Sequence, residues 1–418
     1  MKILWITNKM PHAVALHLEN ANETPSGGWI DGLYSNLSKA EDIRFCFAFP
    51  HSERLDGETE AFSFHSFHYC PLCAVSADVV ARIEDIIDQE KPDAIHIFGS
   101  EFTHAYAAAK AAEAKGMLDN TILNLQGIMA ECAKHYTDCL PQKVIKRYTL
   151  KDIVSGNTIK NQQKDFEARA EWEEKLLGMV KHVIGRTDFD KSFALKANSK
   201  VNYYFCNETL REEFYSGEWS SDTCEKHSVF ISQASYPIKG LHCFLPAAAM
   251  LKKKYPDLKV YIAGQNMKLS GIADRLRAGS YKLYLNQLIS ALRLKNTIVF
   301  LGLMRSRDMK KQYLNANVFV SPSVMENSSN SVCEAMLLGA PIVTSRVGGV
   351  ETLLKDEEEG LLYECCRAED LAECIERVFE DEKLAEKLSK NARARALKTH
   401  NIETNNSTML AIYNSIIK

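Results

Sequence analysis

The chain has 418 residues, which is more than one ordinary hydrophobic core accommodates, so we expect two domains. Its 51 basic and 54 acidic side chains leave a formal net charge of -3, which argues against a nucleic-acid partner. No apolar run in the sequence is long enough to form a transmembrane helix. These features exclude an integral membrane protein and a strongly basic nucleic-acid-binding protein.

The opening residues 1–7 predict a strand and not a signal peptide, because their apolar run is short and ends at Asn8 and Lys9. Twelve cysteines in a chain without a predicted secretion signal indicate reduced thiols and a cytoplasmic location. Cys70 and Cys73 have the spacing of a metal-binding or redox pair. Because no second pair of ligands accompanies them, we interpret them as structural.

Short β-branched or aromatic runs alternate with longer helical patterns along the chain, which is typical of βαβ units and parallel sheets. The strands fall into two series. The first series comprises residues 3–7, 45–49, 94–98, 122–125, 182–185 and 201–204. The second series comprises residues 229–232, 260–263, 298–301, 318–321, 342–345 and 361–363. The sequence therefore predicts two α/β domains.

A segment rich in Glu, Ser and Trp, residues 207–227, separates the two series and predicts an interdomain linker. We therefore place the first domain at residues 1–206 and the second at residues 228–401. A final helix is predicted over 402–418 from the spacing of Ile402, Met409, Ile412, Tyr413 and Ile416.

A basic stretch with interleaved apolar residues extends over 143–164 in the first half of the chain. Its cations are Lys143, Lys146, Arg147, Lys151, Lys160 and Lys164. Such a stretch can rest on the anionic inner leaflet of a cell membrane. A solvated helical face over an apolar stripe is the alternative, and the sequence leaves both open.

The most informative segment is 318–351, which predicts a strand, a polar loop, a short helix, a second strand and a glycine turn. Ser331 and Glu334 have the spacing of a capping box and predict a helix over 332–338 that ends at Gly339. Ligands of parallel sheets bind at the carboxyl ends of strands, and a helix N-terminus favours an anion such as a diphosphate. The carboxylates of Glu326 and Glu334 would then bind hydroxyl groups.

Glu326, seven intervening residues and Glu334 resemble the Glu-x7-Glu signature of retaining GT-B glycosyltransferases, above all glycosyltransferase family 4, which carries the glycosyltransferase group 1 domain. The resemblance implies that Glu326 faces the donor sugar and that Glu334 holds the ribose hydroxyls. It implies that the loop amides meet the sugar and the diphosphate; these residues are Asn327, Ser328, Ser329, Asn330 and Ser331. Alternatively, Glu334 only caps its helix and Glu326 is a solvated loop acid.

The resemblance also implies the fold: an α/β protein of the GT-B class with two Rossmann-like, doubly wound domains. These domains are expected to face one another across a cleft, and the C-terminal helix is expected to cross back to the first domain.

Further donor-side residues follow other strands of the second series. In relatives, the lysine that corresponds to Lys239 contacts the donor diphosphate, although a surface lysine in a common turn is the alternative. Relatives commonly place an arginine five or six residues earlier, where this chain has Ala234 and Gln233, so Gln233 is a candidate substitute. Gly264 and Gly302 resemble the glycines of the nucleotide-binding wall.

Candidate residues of the first half are also assigned by the resemblance. Gly27 and Gly28 resemble a glycine loop that approaches the donor phosphate, with a plain turn as the alternative. Gln126 occupies the place where many relatives carry a histidine near the transferred sugar. His135 and Arg186 are acceptor-side candidates; the alternatives are a structural histidine and an arginine paired with Asp188 or Asp190.

Asp188 and Asp190 form an Asp-x-Asp triplet, which holds a divalent metal in the other large glycosyltransferase fold. A hard cation needs several converging oxygens, and Lys239 with a helix N-terminus already supplies positive charge. We therefore expect no metal and no cofactor.

The resemblance implies a retaining, metal-independent enzyme that moves a sugar from a nucleoside diphosphate sugar, with UDP favoured, to a hydroxyl of a glycan or lipid-linked saccharide. Bacterial capsule, exopolysaccharide or lipopolysaccharide synthesis is the expected setting, with contact to the inner face of the membrane through residues 143–164. A nucleotide-sugar epimerase and a non-catalytic nucleotide- or glycan-binding protein remain the alternatives.

Overall fold

The computed structural model describes residues 1–18, 28–40, 42–68 and 74–417. The predicted glycine loop residue Gly27 and the Cys70 and Cys73 pair lie outside these residues. The chain divides into two compact units. The first unit comprises Met1–Ala130, Asp165–Arg211 and His400–Lys418, and the second comprises Glu131–Lys164 and Glu212–Thr399.

The first unit is built on a sheet that has eight strands in the described part of the chain. They are β1 (Lys2–Ile6), β2 (Arg44–Pro50), β3 (Asp56–Glu58), β4 (Phe62–Phe67), β5 (Ala94–Phe98), β6 (Thr121–Asn124), β7 (His182–Gly185) and β8 (Asn202–Phe205). Their order is β3-β4-β2-β1-β5-β6-β7-β8, and only the β3–β4 pair is antiparallel. The strand order reverses between β1 and β5.

Strands β3 and β4 are absent from the predicted series. Polar residues interrupt the apolar run of β4, yet the whole strand is buried. One of these polar residues, His65, is satisfied by hydrogen bonds to Asp56 at 2.8 Å and Glu90 at 2.6 Å. These hydrogen bonds to residues on other elements compensate for the burial of the polar His65 side chain.

The second unit is built on a six-stranded parallel sheet within the described residues. Its strands are β9 (Glu225–Ile231), β10 (Lys259–Ala263), β11 (Ile298–Gly302), β12 (Ala316–Ser321), β13 (Ile342–Ser345) and β14 (Leu361–Tyr363). Their order is β11-β10-β9-β12-β13-β14. The order therefore reverses between β9 and β12, which is where doubly wound sheets bind ligands.

Helices connect these strands. They are α1 (His12–His17), α2 (Gly28–Leu37), α3 (Ala77–Glu90), α4 (Thr103–Ala114), α5 (Met129–His135), α6 (Gln142–Ile145), α7 (Leu150–Ser155), α8 (Ile159–Met179), α9 (Asp188–Ala197), α10 (Leu241–Lys254), α11 (Ile272–Leu276), α12 (Ser280–Ala291), α13 (Ser306–Asn315), α14 (Asn330–Leu338), α15 (Val350–Leu353), α16 (Ala368–Glu380), α17 (Glu382–Thr399) and α18 (Ile402–Ile416). Among the residues that the structure describes, none of these helices combines the length and the apolar character needed to cross a membrane.

The sheet of the first unit separates two hydrophobic cores, because successive side chains of a strand point to opposite faces. Leu4 and Ile6 of β1 pack in one core, with apolar residues of α3, α4 and α8. Ile3 and Trp5 pack in the other, with apolar residues of α2 and α18. Helices thus cover both faces of this sheet, as predicted for a doubly wound domain.

The C-terminal helix α18 packs in the first unit, as predicted. Its start is capped by Asn401, whose side chain accepts a hydrogen bond from the Thr404 amide at 2.9 Å. The Tyr413 hydroxyl accepts from the Trp5 indole at 3.0 Å and lies 2.6 Å from Nδ1 of His96, all of them buried. The last segment of the chain is therefore part of the first core.

The predicted domain boundaries differ from the observed division in two places. Residues 131–164, which the sequence patterns predict to be part of the first domain, cluster with the second unit. The predicted linker 207–227 is not a separate segment, because it divides at Arg211 and its later part is packed: the Trp219 indole is buried and donates to the Ala316 carbonyl at 2.8 Å. Neither feature is visible in local sequence patterns.

The expectation that all thiols are reduced is also corrected. Cys139 and Cys366 form a disulfide within the second unit, across a sequence separation of 227 residues. Cys243 and Cys365 lie beside it, with their sulfurs 3.4 and 3.5 Å from the Cys366 sulfur. A pairing over this distance depends on the tertiary structure, since no spacing rule reveals it.

Candidate functional site

The strongest candidate site lies at the carboxyl edge of the six-stranded sheet, where the strand order reverses. The chain leaving β9 reaches a 3₁₀ turn, Pro237–Lys239, and the chain leaving β12 forms the loop that contains Glu326. Because β9 and β12 are neighbouring parallel strands, both segments meet at one place. The two predicted catalytic residues, Lys239 and Glu326, are thereby brought together.

Their side chains form a close ion pair. The Lys239 ammonium nitrogen lies 2.5 Å from Oε1 of Glu326, and the Ser323 hydroxyl donates to the same oxygen at 2.8 Å. The Lys239 side chain is 20% exposed and the Glu326 side chain 12%, so both are largely withdrawn from water. Burial is the largest single influence and would lower the pKa of Lys239, but the charge and the hydrogen bond of Glu326, together with other neighbouring groups, raise that pKa. Lys239 is therefore cationic at physiological pH.

Two glycines permit the close approach of these segments. Gly240, at φ +66°, ends the lysine turn, and a Cβ there would overlap the Pro322 carbonyl oxygen. Gly348, at φ +52°, lies against the loop from the other side, and a Cβ there would overlap the Glu326 carbonyl. The neighbouring Gly349 amide donates to that carbonyl at 3.1 Å. The backbone around Glu326 is thus held by contacts that only glycine allows.

Helix α14 begins earlier than predicted, and its cap is a different residue. Ser329 is the N-cap, and its side chain accepts from the Val332 amide at 3.5 Å. The predicted capping box of Ser331 and Glu334 is therefore wrong, because Ser331 already lies inside the helix. Local spacing could not distinguish two serines that lie two residues apart.

Glu334 is thus not the capping acid of α14. It is buried at 5% exposure, one turn into the helix, and the Tyr313 hydroxyl lies 3.3 Å from its Oε2. The same hydroxyl donates to the Ser331 carbonyl at 3.1 Å. The alternative explanation of Glu334 as a helix cap is removed, while its proximity to the loop is retained.

The loop between the two glutamates is compact. Asn327 and Ser329 are buried, at 5% and 7% exposure, and Asn330 and Ser331 form the first turn of α14. Ser328 lies in the loop, between Asn327 and Ser329. Amides of a helix's first turn have no partner inside the helix, and the dipole makes this end favourable for an anion.

The remaining donor-side candidates extend along the same edge of the sheet. Gln233 follows β9, and the Gly264 amide after β10 donates to the Gly302 carbonyl of β11 at 2.9 Å. Gln233 and Lys239 also line a cavity of about 20 Å³ with Glu326, Ser329 and Ser331. Such a volume holds about one water molecule. The predicted donor-side residues of the second unit therefore lie along one edge of its sheet.

In the first unit, two predicted acceptor-side residues meet through a third that the sequence did not indicate. The Arg186 guanidinium lies 2.9 Å from the Glu208 carboxylate, and the Gln126 amide donates to the other oxygen of that carboxylate at 2.6 Å. Arg186 also donates to the Gln126 carbonyl at 3.4 Å. Glu208 was missed because it lies in the segment interpreted as a linker.

The Asp-x-Asp triplet has a local structural role. The Thr187 side chain accepts from the Asp190 amide, and the Asp190 side chain reaches back to the Thr187 amide, which forms a capping box at the start of α9. Asp190 also accepts from the Arg186 amide at 3.0 Å. The carboxylate of Asp190 therefore accepts hydrogen bonds from backbone amides.

The remaining candidates of the first half of the chain are His135 and Gly28. His135 lies in the second unit and contacts Asp138 at 2.7 Å and Glu131 at 3.6 Å, which is a local charge cluster on and just after α5. Gly28 opens α2, where a Cβ would come within 2.8 Å of the Arg211 side chain. His135 therefore belongs to a different unit from Gln126 and Arg186.

Two carboxylates in the first unit were missed by sequence reasoning, one partly buried (Glu101) and one buried (Glu173). Glu101 follows β5 at the reversal of strand order and accepts from the Gly127 amide at 3.1 Å. Glu173 of α8 accepts from the Ser100 hydroxyl and from the Met129 amide at 2.8 Å. Burial raises the pKa of Glu173 to about 8, and burial also raises that of Glu101. For Glu101, the available signal was its position three residues after the predicted strand 94–98.

Two groups of side chains in the described residues have metal-ligand character. Cys139, Cys243 and Cys366 form the first, and Cys46, His65 and Glu90 form the second. The disulfide between Cys139 and Cys366 uses two sulfurs of the first group. In the second group, both nitrogens of His65 already contact carboxylates. The geometry thus accounts for both groups without a metal.

Comparisons with known proteins agree with this architecture. Residues 212–395 match the family model described as glycosyl transferases group 1. An uncharacterized glycosyltransferase of Methanocaldococcus jannaschii is 30% identical over 169 residues, which are 40% of this chain and 40% of that protein. A D-inositol 3-phosphate glycosyltransferase of Arthrobacter sp. is 31% identical over 146 residues, or 34% of this chain and 32% of that protein. The alignments span less than half of these relatives.

Solved structures are similar over nearly the whole chain. Sucrose-phosphate synthase from Thermosynechococcus elongatus has a TM-score of 0.73 and 16% identity, with 100% of this chain and 99% of that chain covered. HepE of Anabaena, in complex with UDP and glucose, has a TM-score of 0.68 and 16% identity, with 99% and 100% covered. At this identity the likeness concerns the fold, and the predicted GT-B class with two Rossmann-like domains is confirmed.

Proposed function

Residues 212–395 belong to the group 1 glycosyltransferases, as the spacing of Glu326 and Glu334 indicated, and from this premise we propose that the chain is a retaining glycosyltransferase. It transfers a sugar from a nucleoside diphosphate sugar to a hydroxyl group of a glycan or lipid-linked saccharide. The second unit binds the donor, and the polar cluster of the first unit contributes to acceptor binding.

One observation carries the proposal: Lys239 and Glu326 meet at the reversal of strand order, beside the first turn of α14. A cation and a helix N-terminus suit a diphosphate, and a carboxylate next to them suits sugar hydroxyls. Glu334, one turn further along α14, is the acid available for ribose hydroxyls. The arrangement matches the three parts of a nucleoside diphosphate sugar.

In the proposed reaction, the bond between the sugar C1 and the diphosphate oxygen breaks while a bond forms between C1 and the acceptor oxygen. Negative charge develops on the leaving diphosphate, and Lys239 with the amides of α14 stabilises it. Glu326 orients the donor sugar. The leaving phosphate takes the proton of the acceptor hydroxyl, so transfer on one face of the sugar requires no second carboxylate.

We favour a UDP-sugar as donor. Support comes from the solved neighbour HepE of Anabaena, whose complexes contain UDP, UDP-glucose, or UDP and glucose. We also propose that no divalent metal is needed, because Lys239 and the α14 N-terminus supply positive charge where the diphosphate is expected. Chelation with EDTA should leave the initial rate unchanged, and a rate that recovers only with added Mg²⁺ or Mn²⁺ would contradict this.

The proposal is tested by incubating the full chain with UDP-, GDP- and dTDP-sugars and measuring nucleoside diphosphate release with and without saccharide acceptors. Acceptor-dependent release of one nucleotide, with the donor's anomeric configuration kept in the product by NMR, is the expected result. A rearranged free sugar without acceptor would indicate an epimerase. Binding without any turnover across donors and acceptors would indicate a non-catalytic protein. Thermal stabilisation by UDP, GDP or dTDP identifies the base beforehand.

A further inference from the structure

Two short segments of the second unit expose an unusual concentration of large apolar side chains. Val154 is 89% exposed and Ile272 is 82% exposed. Half of the large apolar side chains that are substantially exposed in the described residues lie on these segments: Tyr148, Leu150, Ile153, Val154, Ile272 and Leu276. The other six are scattered along the chain. We call residues 141–160 and 268–277 together the basic-apolar surface.

Polar contacts hold the first segment against α12, which follows the second segment in the chain. The carboxylate of Asp152 in α7 accepts from the Ser280 amide at the start of α12 at 3.0 Å, and the Arg147 guanidinium donates to the Gln287 side chain at 2.9 Å. A groove of about 290 Å³ is lined by both segments, including Tyr148, Leu150 and Ile272. The apolar side chains are therefore presented together on a fixed frame.

The charge of this surface is opposite to that of the chain as a whole. Its two segments carry eight lysines and arginines but two carboxylates, whereas the chain has a net charge of -3. Asp152 is buried and used by backbone amides, and Asp274 accepts from Ser270 at 3.0 Å and lies 3.8 Å from Lys282. The cations that flank the apolar side chains are Lys146, Arg147, Lys151, Arg275 and Arg277.

We propose that the basic-apolar surface docks on an anionic phospholipid bilayer. Helices α7 and α11 have six and five residues, far too few to span a bilayer, so they lie in its interface. Leu150, Val154 and Ile272 enter the boundary between headgroups and acyl chains, and the surrounding cations contact anionic headgroups. A patch that docks only on another protein does not require a cationic rim, so the combination of apolar side chains and cations favours a bilayer.

The test measures co-sedimentation of the full chain with phosphatidylcholine vesicles and with vesicles that also contain phosphatidylglycerol. No sugar nucleotide is added, so the result is independent of the proposed transferase activity. Binding to the anionic vesicles alone, weakened by high salt, is expected. Val154→Ser/Ile272→Ser and Lys151→Gln/Arg275→Gln should each reduce the partition coefficient by at least about tenfold.

Matched controls alter exposed residues elsewhere. Leu16→Ser/Leu397→Ser replaces two exposed apolar side chains, and Lys200→Gln/Lys383→Gln removes two exposed cations. Both control variants should bind as the unaltered chain does, and all variants should keep its circular dichroism spectrum. Absence of vesicle binding, equal binding to neutral vesicles, or undiminished binding of the Val154→Ser/Ile272→Ser variant would overturn the proposal. A dimer that this variant dissociates, seen by sedimentation without vesicle binding, would assign the surface to a second copy instead.

Discussion

The ammonium nitrogen of Lys239 and the carboxylate of Glu326, 87 residues apart in sequence, lie 2.5 Å from one another. Their pairing follows from the neighbouring positions of β9 and β12. A donor diphosphate is much larger than the 20 Å³ cavity beside the pair. We therefore expect a bound donor to separate Lys239 from Glu326, with the phosphate taking the place of the carboxylate oxygen at the ammonium group.

The Lys239→Gln variant should lose at least about tenfold in nucleoside diphosphate affinity, because a charge-assisted hydrogen bond to phosphate is removed. It should also destabilise the fold by about 1–3 kcal/mol, since Glu326 loses its partner while the pair is partly exposed. Isothermal titration calorimetry and urea unfolding measure the two effects. Lys239→Arg is the control that keeps the charge. Unchanged affinity in Lys239→Gln would remove Lys239 from the donor site.

The Glu326→Gln variant should lower kcat by roughly 10²-fold and change nucleoside diphosphate affinity little, because Glu326 is proposed to orient the sugar. Initial rates with the best donor, together with calorimetric affinity for the free nucleotide, separate these quantities. Glu60→Gln, at an exposed position of the first unit, is the control. Equal losses of affinity and rate would instead place Glu326 at the nucleotide.

The Glu334→Gln variant should weaken nucleoside diphosphate binding by about tenfold, because a charged acceptor for ribose hydroxyls becomes neutral. Its thermal stability should change little, since Ser329 and not Glu334 caps α14. A differential scan without nucleotide checks the second point. Tyr313→Phe, which removes the hydroxyl beside Glu334, should show a smaller loss of affinity. Undiminished binding in Glu334→Gln contradicts the ribose assignment.

The contribution of Glu173 to stability should fall as the pH rises from about 4.5 to 8, because the pKa of Glu173 is raised to about 8 in the folded chain. Between its ordinary pKa and the raised value, the folded state binds more protons than the unfolded state, so each pH unit costs roughly 1 kcal/mol. The raised pKa of Glu101 acts in the same direction.

Glu173→Gln should flatten this slope, because an amide cannot ionise and still accepts the hydrogen bond from the Met129 amide. Urea unfolding at several pH values between 5 and 8 measures the slope. Glu174→Gln, the exposed neighbour on the same helix, is the control and should keep the slope of the unaltered chain. Identical slopes in both variants would show that Glu173 is not the titrating group.

Cys139→Ser should lower the free energy of unfolding by about 2–4 kcal/mol, because the disulfide to Cys366 restricts a long loop in the unfolded chain. A reducing agent should lower the melting temperature of the unaltered chain and leave that of Cys139→Ser unchanged. Cys374→Ser alters a free thiol and leaves the disulfide cysteines intact, so this variant should respond to reductant as the unaltered chain does. A reductant-insensitive melting temperature in all three would show that the thiols are unpaired in solution.

Much of the fold was predictable because its signals are local. Alternating strand and helix patterns located the strands of the second sheet and most of the first, and the apolar spacing after Asn401 located α18. Strand β4 was missed because its polar residues are satisfied by Asp56 and Glu90, partners that lie on other elements. The placement of residues 131–164 with the second unit was missed for the same reason, since it depends on packing between distant segments.

The candidate site divides in the same way. The sequence by itself determined the residue types and their spacing: a lysine after one strand, and Glu326 and Glu334 flanking the loop after another. Only the tertiary structure decided that Lys239 pairs with Glu326, that Ser329 caps α14, that Arg186 meets Glu208, and that Cys139 is bonded to Cys366. The physical reason is range: backbone propensities act over a few residues, whereas pairing of charges and sulfurs depends on distances that only the folded sheet establishes.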